Sequence, residues 1–134
     1  MNKEIQILLI DDDEDDRDFF QFALQSIDNN IQLTDVASGQ EGLDYLIHNA
    51  LPDCIFLDLN MPGMTGRECL SKLKSDQKYN HIPVVIFSTS SDPKDVQETR
   101  EMGALNFITK PSKTSDLISA LNNFLSNHFA LKIQ

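Results

Sequence analysis

The sequence predicts an α/β fold: a parallel five-stranded sheet, doubly wound, with helices on both faces. Three observations predict it. Short apolar runs alternate with stretches of helical period, five of each, in strict order. Strand-then-helix repetition implies parallel strands joined by right-handed crossovers. Finally, 134 residues with 40% hydrophobic content are enough for one core but not comfortably for two.

The elements follow in order. Residues 5–10, Ile-Gln-Ile-Leu-Leu-Ile, form a short β-branched run stopped abruptly by acid, as a buried strand should be. From about Glu14 to Ile27, Phe19, Phe20, Ala23, Leu24 and Ile27 recur at three- and four-residue spacing, an amphipathic helix ended by Asp28-Asn-Asn. Residues 31–37 alternate as a second strand, and Ser38-Gly39 opens a helix with Leu43, Leu46 and Ile47 on one face. Leu51-Pro52 breaks it, and residues 54–57 form a third strand running into Asp58. Asn60-Met-Pro-Gly is a loop by its Pro and Gly, followed by a helix over 65–73 and an irregular polar segment over 75–82. Pro83 tolerably starts a fourth strand over 83–87. Asp92-Pro93 caps and opens a helix to Met102, with Gly103 as its stop. Residues 105–109 make a weaker fifth strand, and a helix from Ser115 to about Ala130 closes the chain. The expected organisation is one domain over 1–134, with a core of about 5–129, a short C-terminal tail and no output domain.

Composition excludes several functions. Eleven basic against 21 acidic residues give a net charge of −10, which lacks the basic footprint that nucleic-acid binding requires. No apolar run approaches the about 20 residues of a membrane span, and no cleavage-site pattern follows the N-terminus. A cytoplasmic location follows as the expectation. Cys54 and Cys69 have no CxxC spacing or nearby His, so reduced thiols in the interior are expected. His48, His81 and His128 are scattered and read as surface or loop residues.

The acidic residues are unevenly spread: 11–18 hold seven of the 21. Acids at a helix start are favoured by the helix dipole, which accounts for Glu14, Asp15, Asp16 and Asp18. It does not account for Asp11 and Asp12, which directly follow a buried strand, nor for Asp58, an acid after Cys-Ile-Phe-Leu that is expensive to bury alone.

In an open parallel sheet the functional crevice lies beyond the C-terminal strand ends. Those ends carry Asp11-Asp12-Asp13, Asp58, Ser88-Thr89 and Lys110-Pro111. Crowded carboxylates repel and raise one another's pKa, and a divalent cation relieves that. Mg2+, or Mn2+ in its place, prefers one or two carboxylates with waters and a phosphate. The expected ligands are the Asp12 and Asp58 carboxylates and the Asn60 backbone carbonyl, with Asp11 acting through water. A rigidly held Asp58 can be a nucleophile that makes an acyl phosphate. Lys110 would neutralise phosphoryl oxygens and Ser88 would donate to one, which is most of what phosphoryl transfer needs.

The strings LLIDDDEDD, FLDLNMPGMTG, VVIFSTS and NFITKP resemble, in order and separation, the motifs of the response-regulator receiver family. The resemblance covers essentially the whole chain, from Ile5 to about Phe129. It implies a flavodoxin-like (βα)5 sheet of order 2-1-3-4-5 and a two-component phosphorelay function. Asp58 becomes the phosphoacceptor, charged by a cognate histidine kinase or phosphotransfer protein, and Asp11 with Asp12 the acidic pair. Ser88 becomes the switch hydroxyl, Phe107 the switch aromatic, and Lys110 the lysine before a cis Pro111. From the residues alone, Phe107 is equally well simple core. Two positions depart from the commonest pattern. Thr89 is larger than usual beside the phosphate, and Phe107 lacks the Tyr hydroxyl.

Two rival functions are disfavoured. An aspartyl phosphohydrolase would show Asp-x-Asp followed by Gly-Thr, whereas Asp58 is followed by Leu59-Asn60 and there is no cap insertion. A pseudo-receiver would have lost part of the set Asp11, Asp12, Asp58, Ser88 and Lys110. The expectation is therefore a regulator with slow self-dephosphorylation and no separate small-molecule substrate. It would be a monomer or weak homodimer that acts on a downstream protein target. The segment 75–82 and the style of 11–20 resemble small stand-alone regulators paired with phytochrome-type histidine kinases.

Overall fold

The computed structural model describes residues 4–28 and 30–129. Five strands, β1 (Ile5–Ile10), β2 (Ile31–Val36), β3 (Cys54–Leu57), β4 (Val84–Ser88) and β5 (Asn106–Thr109), alternate with five helices. The helices are α1 (Glu14–Gln25), α2 (Gly39–His48), α3 (Gly66–Ser75), α4 (Pro93–Glu101) and α5 (Thr114–Phe129). All four strand pairings are parallel, and the sheet order is β2-β1-β3-β4-β5. Both match the fold expected from the sequence. The expected end of the last helix at Ala130 lies outside the described residues.

Apart from the exposed Gln6 and the terminal Ser88, the three central strands are apolar, because each face of the sheet has its own cover. Successive side chains point to opposite faces, so Ile7, Leu9, Phe56, Val85 and Phe87 meet α1 and α5. Leu8, Ile10, Ile55, Leu57 and Ile86 meet residues of α2 and α3. On the first face the rings interlock edge to face: Phe20 lies 5.0 Å from Phe56 and 5.3 Å from Phe87, and Phe56 lies 5.7 Å from Phe124. β5 is an edge strand with no fully buried residue, which is why its pattern is weak in the sequence.

Helix starts follow the cap chemistry. Asp13 accepts from the amides of Asp15 and Asp16, Ser38 from Glu41, and Asp92 from Lys94 with Pro93 in the first turn. Thr65 and Glu68 make a reciprocal capping box at the start of α3. Gly103 takes φ +108° after α4, the left-handed stop that glycine tolerates. The polar segment after α3 is ordered rather than slack. Tyr79 and Ile82 are buried in the second core, and Lys74 Nζ donates to the carbonyls of Asn80 and Ile82 at 3.1 and 3.0 Å. Cys54 and Cys69 are buried free thiols, and burial pushes the pKa of both upward.

The interlocked rings predict where stability resides. Phe56→Ala should destabilise the fold by about 3–5 kcal/mol, because Phe56 is fully buried. Phe22, 57% exposed on α1, should tolerate alanine within about 0.5 kcal/mol. Urea denaturation of both variants measures the contrast, and equal losses would contradict this account of the core.

Candidate functional site

The parallel register brings the C-terminal ends of β1, β3, β4 and β5 to one rim. Asp58 follows β3 directly, and its N–H donates to the Ile10 carbonyl at 3.0 Å, extending the ladder by one rung. Its residue is only 5% exposed. Asp11, beyond β1, is fully buried, while Asp12 is exposed. One carboxylate oxygen from each of Asp11, Asp12 and Asp58 lies within 4.8 Å of the others. Such a set of hard oxygen donors fits a divalent cation.

Lys110, just past β5, reaches across the rim with a side chain only 9% exposed. Its ammonium lies 2.8 Å from Asp16 Oδ2, 2.9 Å from Asp11 Oδ2 and 3.5 Å from Asp58 Oδ2. The Asp11 contact is an ion pair rather than an oriented hydrogen bond. The other Asp11 oxygen accepts from the Asp13 N–H at 3.0 Å. The ammonium also sits 5.6 Å above the Phe87 ring. Burial works against the charge of Lys110, but its contacts with Asp16 and Asp11 and the charges of Asp11 and Asp58 hold its pKa above the usual lysine range. Burial raises Asp11. Burial also pushes Asp58 up to about 6, with the Lys110 ammonium and the Asn60 N–H opposing and the Asp11 charge adding.

Ser88 ends β4 with no exposure, and its Oγ accepts from the Ser90 N–H at 3.1 Å. Thr89 follows it and is exposed. From Ser90 a network crosses to the neighbouring helices: Ser90 Oγ donates to Asp95 at 2.6 Å, and Arg67 of α3 donates to the other Asp95 oxygen at 2.6 Å. Phe107 lies on β5 opposite Ile86, half-buried against the second core. Asn60 is exposed, and its N–H points to Asp58 Oδ1 at 3.4 Å. Gly66 opens α3 directly under the loop that follows β3, where a Cβ would stand 2.2 Å from the Asp58 carbonyl oxygen.

The sequence-predicted residues therefore converge, with two differences. The Lys110–Pro111 bond is trans, not cis: no described peptide bond is cis. A trans X–Pro bond is intrinsically favoured by about 0.5–1 kcal/mol, and Lys110 already reaches both the acidic rim and the Ser88 carbonyl (N–H to O, 2.7 Å) from it. The second difference is Asp16, which the sequence assigns to a solvated helix start and which instead makes the shortest contact to Lys110. No local signal marks it, because an acid in the first turn of a helix is ordinary whether or not it has a partner.

Residues 7–122 match the family model of the response regulator receiver domain. This chain belongs to that family. Among curated relatives of the receiver, a two-component response regulator of rice (Oryza sativa subsp. japonica), ORR6, is 34% identical over 116 residues, spanning 85% of this chain and 67% of that protein. ORR12 of the same plant is 34% identical, spanning 87% and 94%. Among solved structures, the phosphorylated cyanobacterial phytochrome response regulator RcpA superposes with a TM-score of 0.86 at 29% identity, covering 97% of this receiver and 98% of its own chain. The Mn2+-bound form of response regulator Rcp1 gives 0.80 at 27% identity, covering 97% of each. The receiver thus has a two-component response-regulator function, and its acidic cluster fits a divalent metal. No helix among its described residues is long and apolar enough to cross a membrane.

The raised pKa of Asp58 fixes a pH dependence. Between about pH 4 and about pH 6 the folded chain holds a proton that the unfolded chain has released, so in metal-free buffer this group's contribution to stability falls as pH rises through that window. Asp58→Asn removes the penalty. Its melting temperature should exceed that of the wild type at pH 7 without metal, and the gap should close below about pH 4. Melts at both pH values measure this, and a gap that is the same at both would contradict it.

Proposed function

We propose that Asp58 is the phosphoacceptor of a two-component phosphorelay, charged by a cognate histidine kinase or phosphotransfer protein. The observation that carries this reading is a nearly buried carboxylate with an ammonium 3.5 Å away and two further carboxylates within 4.8 Å. An Asp58 oxygen forms the O–P bond as the donor's P–N bond breaks, and the electron pair returns to the donor's ring nitrogen. Lys110 would face the charge that gathers on the phosphoryl oxygens, and the Ser88 and Thr89 hydroxyls would donate to them. No side chain has to move a proton, so positioning and charge neutralisation carry the reaction. Phosphorylated RcpA, similar along nearly the whole chain, supports the assignment.

The cation is assigned as Mg2+, with Mn2+ able to replace it, held by Asp12, Asp58 and the Asn60 backbone carbonyl. Asp11 would act through water, in keeping with the engagement of both its oxygens by Lys110 and the Asp13 amide. When bound, the cation supplies charge neutralisation between the acceptor and the incoming phosphoryl group. The Mn2+-bound form of Rcp1 supports a divalent ion here. The reading is of a single cytoplasmic receiver domain, a monomer or weak homodimer, that self-dephosphorylates slowly and has no separate small-molecule substrate.

Incubation with acetyl phosphate and Mg2+ followed by intact-mass measurement tests the acceptor. Wild type should gain one phosphoryl group, while Asp58→Asn and a metal-free sample should gain none. Lys110→Ala should slow the gain by at least about tenfold. A folded wild type that gains nothing from acetyl phosphate or a kinase would indicate a pseudo-receiver.

Signalling then is a population shift between two conformations. Drawing Ser88 Oγ toward the phosphoryl group takes it from the Ser90 N–H, loosening the Ser90–Asp95–Arg67 tie that joins the β4–α4 loop to α3. Phe107, on the adjacent strand, turns into the space that Ser88 leaves. The surface that a downstream protein reads is then α4, β5 and α5. Beryllofluoride with Mg2+ should shift the amide signals of Ser90 and of residues across 92–125. Signals that stay put in a protein demonstrably binding the mimic would exclude Ser88 and Phe107 as the switch.

A further inference from the structure

Lys110 has three acidic neighbours and three ammonium protons, but the neighbours are not equivalent. Asp58 is the farthest, at 3.5 Å, outside the range of a good charge-assisted hydrogen bond, about 2.7–2.9 Å. Asp11 is fully buried and anchored through its second oxygen to the Asp13 amide, so it cannot follow or release the ammonium. Asp16 makes the shortest contact, 2.8 Å, and with a side chain 33% exposed it is the one partner of the three half in water. It can be given up to solvent at little cost.

We propose that Asp16 is a positioning residue acting through Lys110. It holds the ammonium off Asp58 in the unphosphorylated receiver and opposes the phosphorylated state, because the ammonium exchanges Asp16 for a phosphoryl oxygen. The inference rests on the reading of Asp58 as the acceptor. A contact made in one state and surrendered in the other shifts the equilibrium toward the first by its own free energy. Repulsion between the Asp16 carboxylate and a phosphoryl group acts in the same direction. Asp16 thus weakens the hold on the phosphoryl group while leaving the nucleophilic oxygens of Asp58 unobstructed.

The test is a beryllofluoride titration at saturating Mg2+, followed by amide signals together with the Lys110 ammonium resonance. Asp16→Asn should bind the mimic about three- to fivefold more tightly than wild type, the range that a part-exposed ion pair supplies. Asp16→Glu should restore wild-type affinity within about twofold. Asp15→Asn removes the same charge from the same turn, at an exposed residue that is not a partner of Lys110, and should also stay within about twofold. The Lys110 resonance of free Asp16→Asn should be displaced from wild type, whereas the two beryllofluoride complexes should coincide. Asp16→Gln provides a second charge-removing variant should the first fold poorly, and thermal melts establish which variants are folded. A folded charge-removing variant that binds no tighter than wild type would overturn the proposal, as would equal tightening by Asp15→Asn. Wild type that does not bind beryllofluoride would remove the acceptor reading and this inference with it. Wild type that binds, with Asp16 variants indifferent, removes only the role of Asp16.

Discussion

Three carboxylate oxygens lie within 4.8 Å of one another in this receiver, and the two that belong to buried residues, Asp11 and Asp58, share one ammonium. Burial drives the Asp58 carboxyl toward protonation, and the Asp11 charge adds to it. Lys110 counters that from the far side of the sheet, β5 being separated from β3 by β4. Its own burial is tolerable only because acidic partners surround it. Every element that sets the position of Lys110 or of the aspartates is therefore part of the site: the parallel register, the Asp58 rung on Ile10, and the start of α1.

That arrangement costs stability, and the fold has room for the cost. The central strands are sealed on both faces, with a network of aromatic rings under α1 and α5 and a branched-aliphatic layer on the other side. The acidic rim is a small polar edge of a well-packed sheet, in keeping with the view that proteins break local rules at functional sites and compensate elsewhere. A site held by such a core changes by discrete repacking rather than by yielding diffusely.

The architecture was legible because each level of signal agreed with the next. β1, β3 and β4 are short apolar runs ending in polar chemistry, and the caps Asp13, Ser38, Thr65 and Asp92 stand where the helices begin. β5 was fainter because an edge strand that is half in water carries little hydrophobic pattern. Asp11, Asp12, Asp58, Ser88 and Lys110 could be brought together from sequence because a parallel sheet delivers all strand ends to one rim. What escaped was set by side-chain reach rather than by topology. Asp16 meets a lysine 94 residues away, and Arg67 meets Asp95 across 28 residues. Neither pairing leaves a local trace, since an acid in a first helical turn and an arginine on a helix look the same whether or not they have a partner. The trans Lys110–Pro111 bond likewise depends on what the surrounding contacts require, which the dipeptide alone does not state.

Gly66 gives the site a vulnerability of an unusual kind. A single methyl group there would sit 2.2 Å from the Asp58 carbonyl oxygen and 2.5 Å from the Leu59 Cα, both backbone atoms that cannot swing aside. A saturation library at this position should therefore return glycine almost alone, and a mutational scan scored on signalling would rank it beside Asp58. The residue touches no phosphate and has no side chain to touch one with. Its contribution is vacancy, the room that lets α3 begin directly beneath Asp58, and a map of sensitive positions in this receiver will mix groups that do chemistry with places that must stay empty.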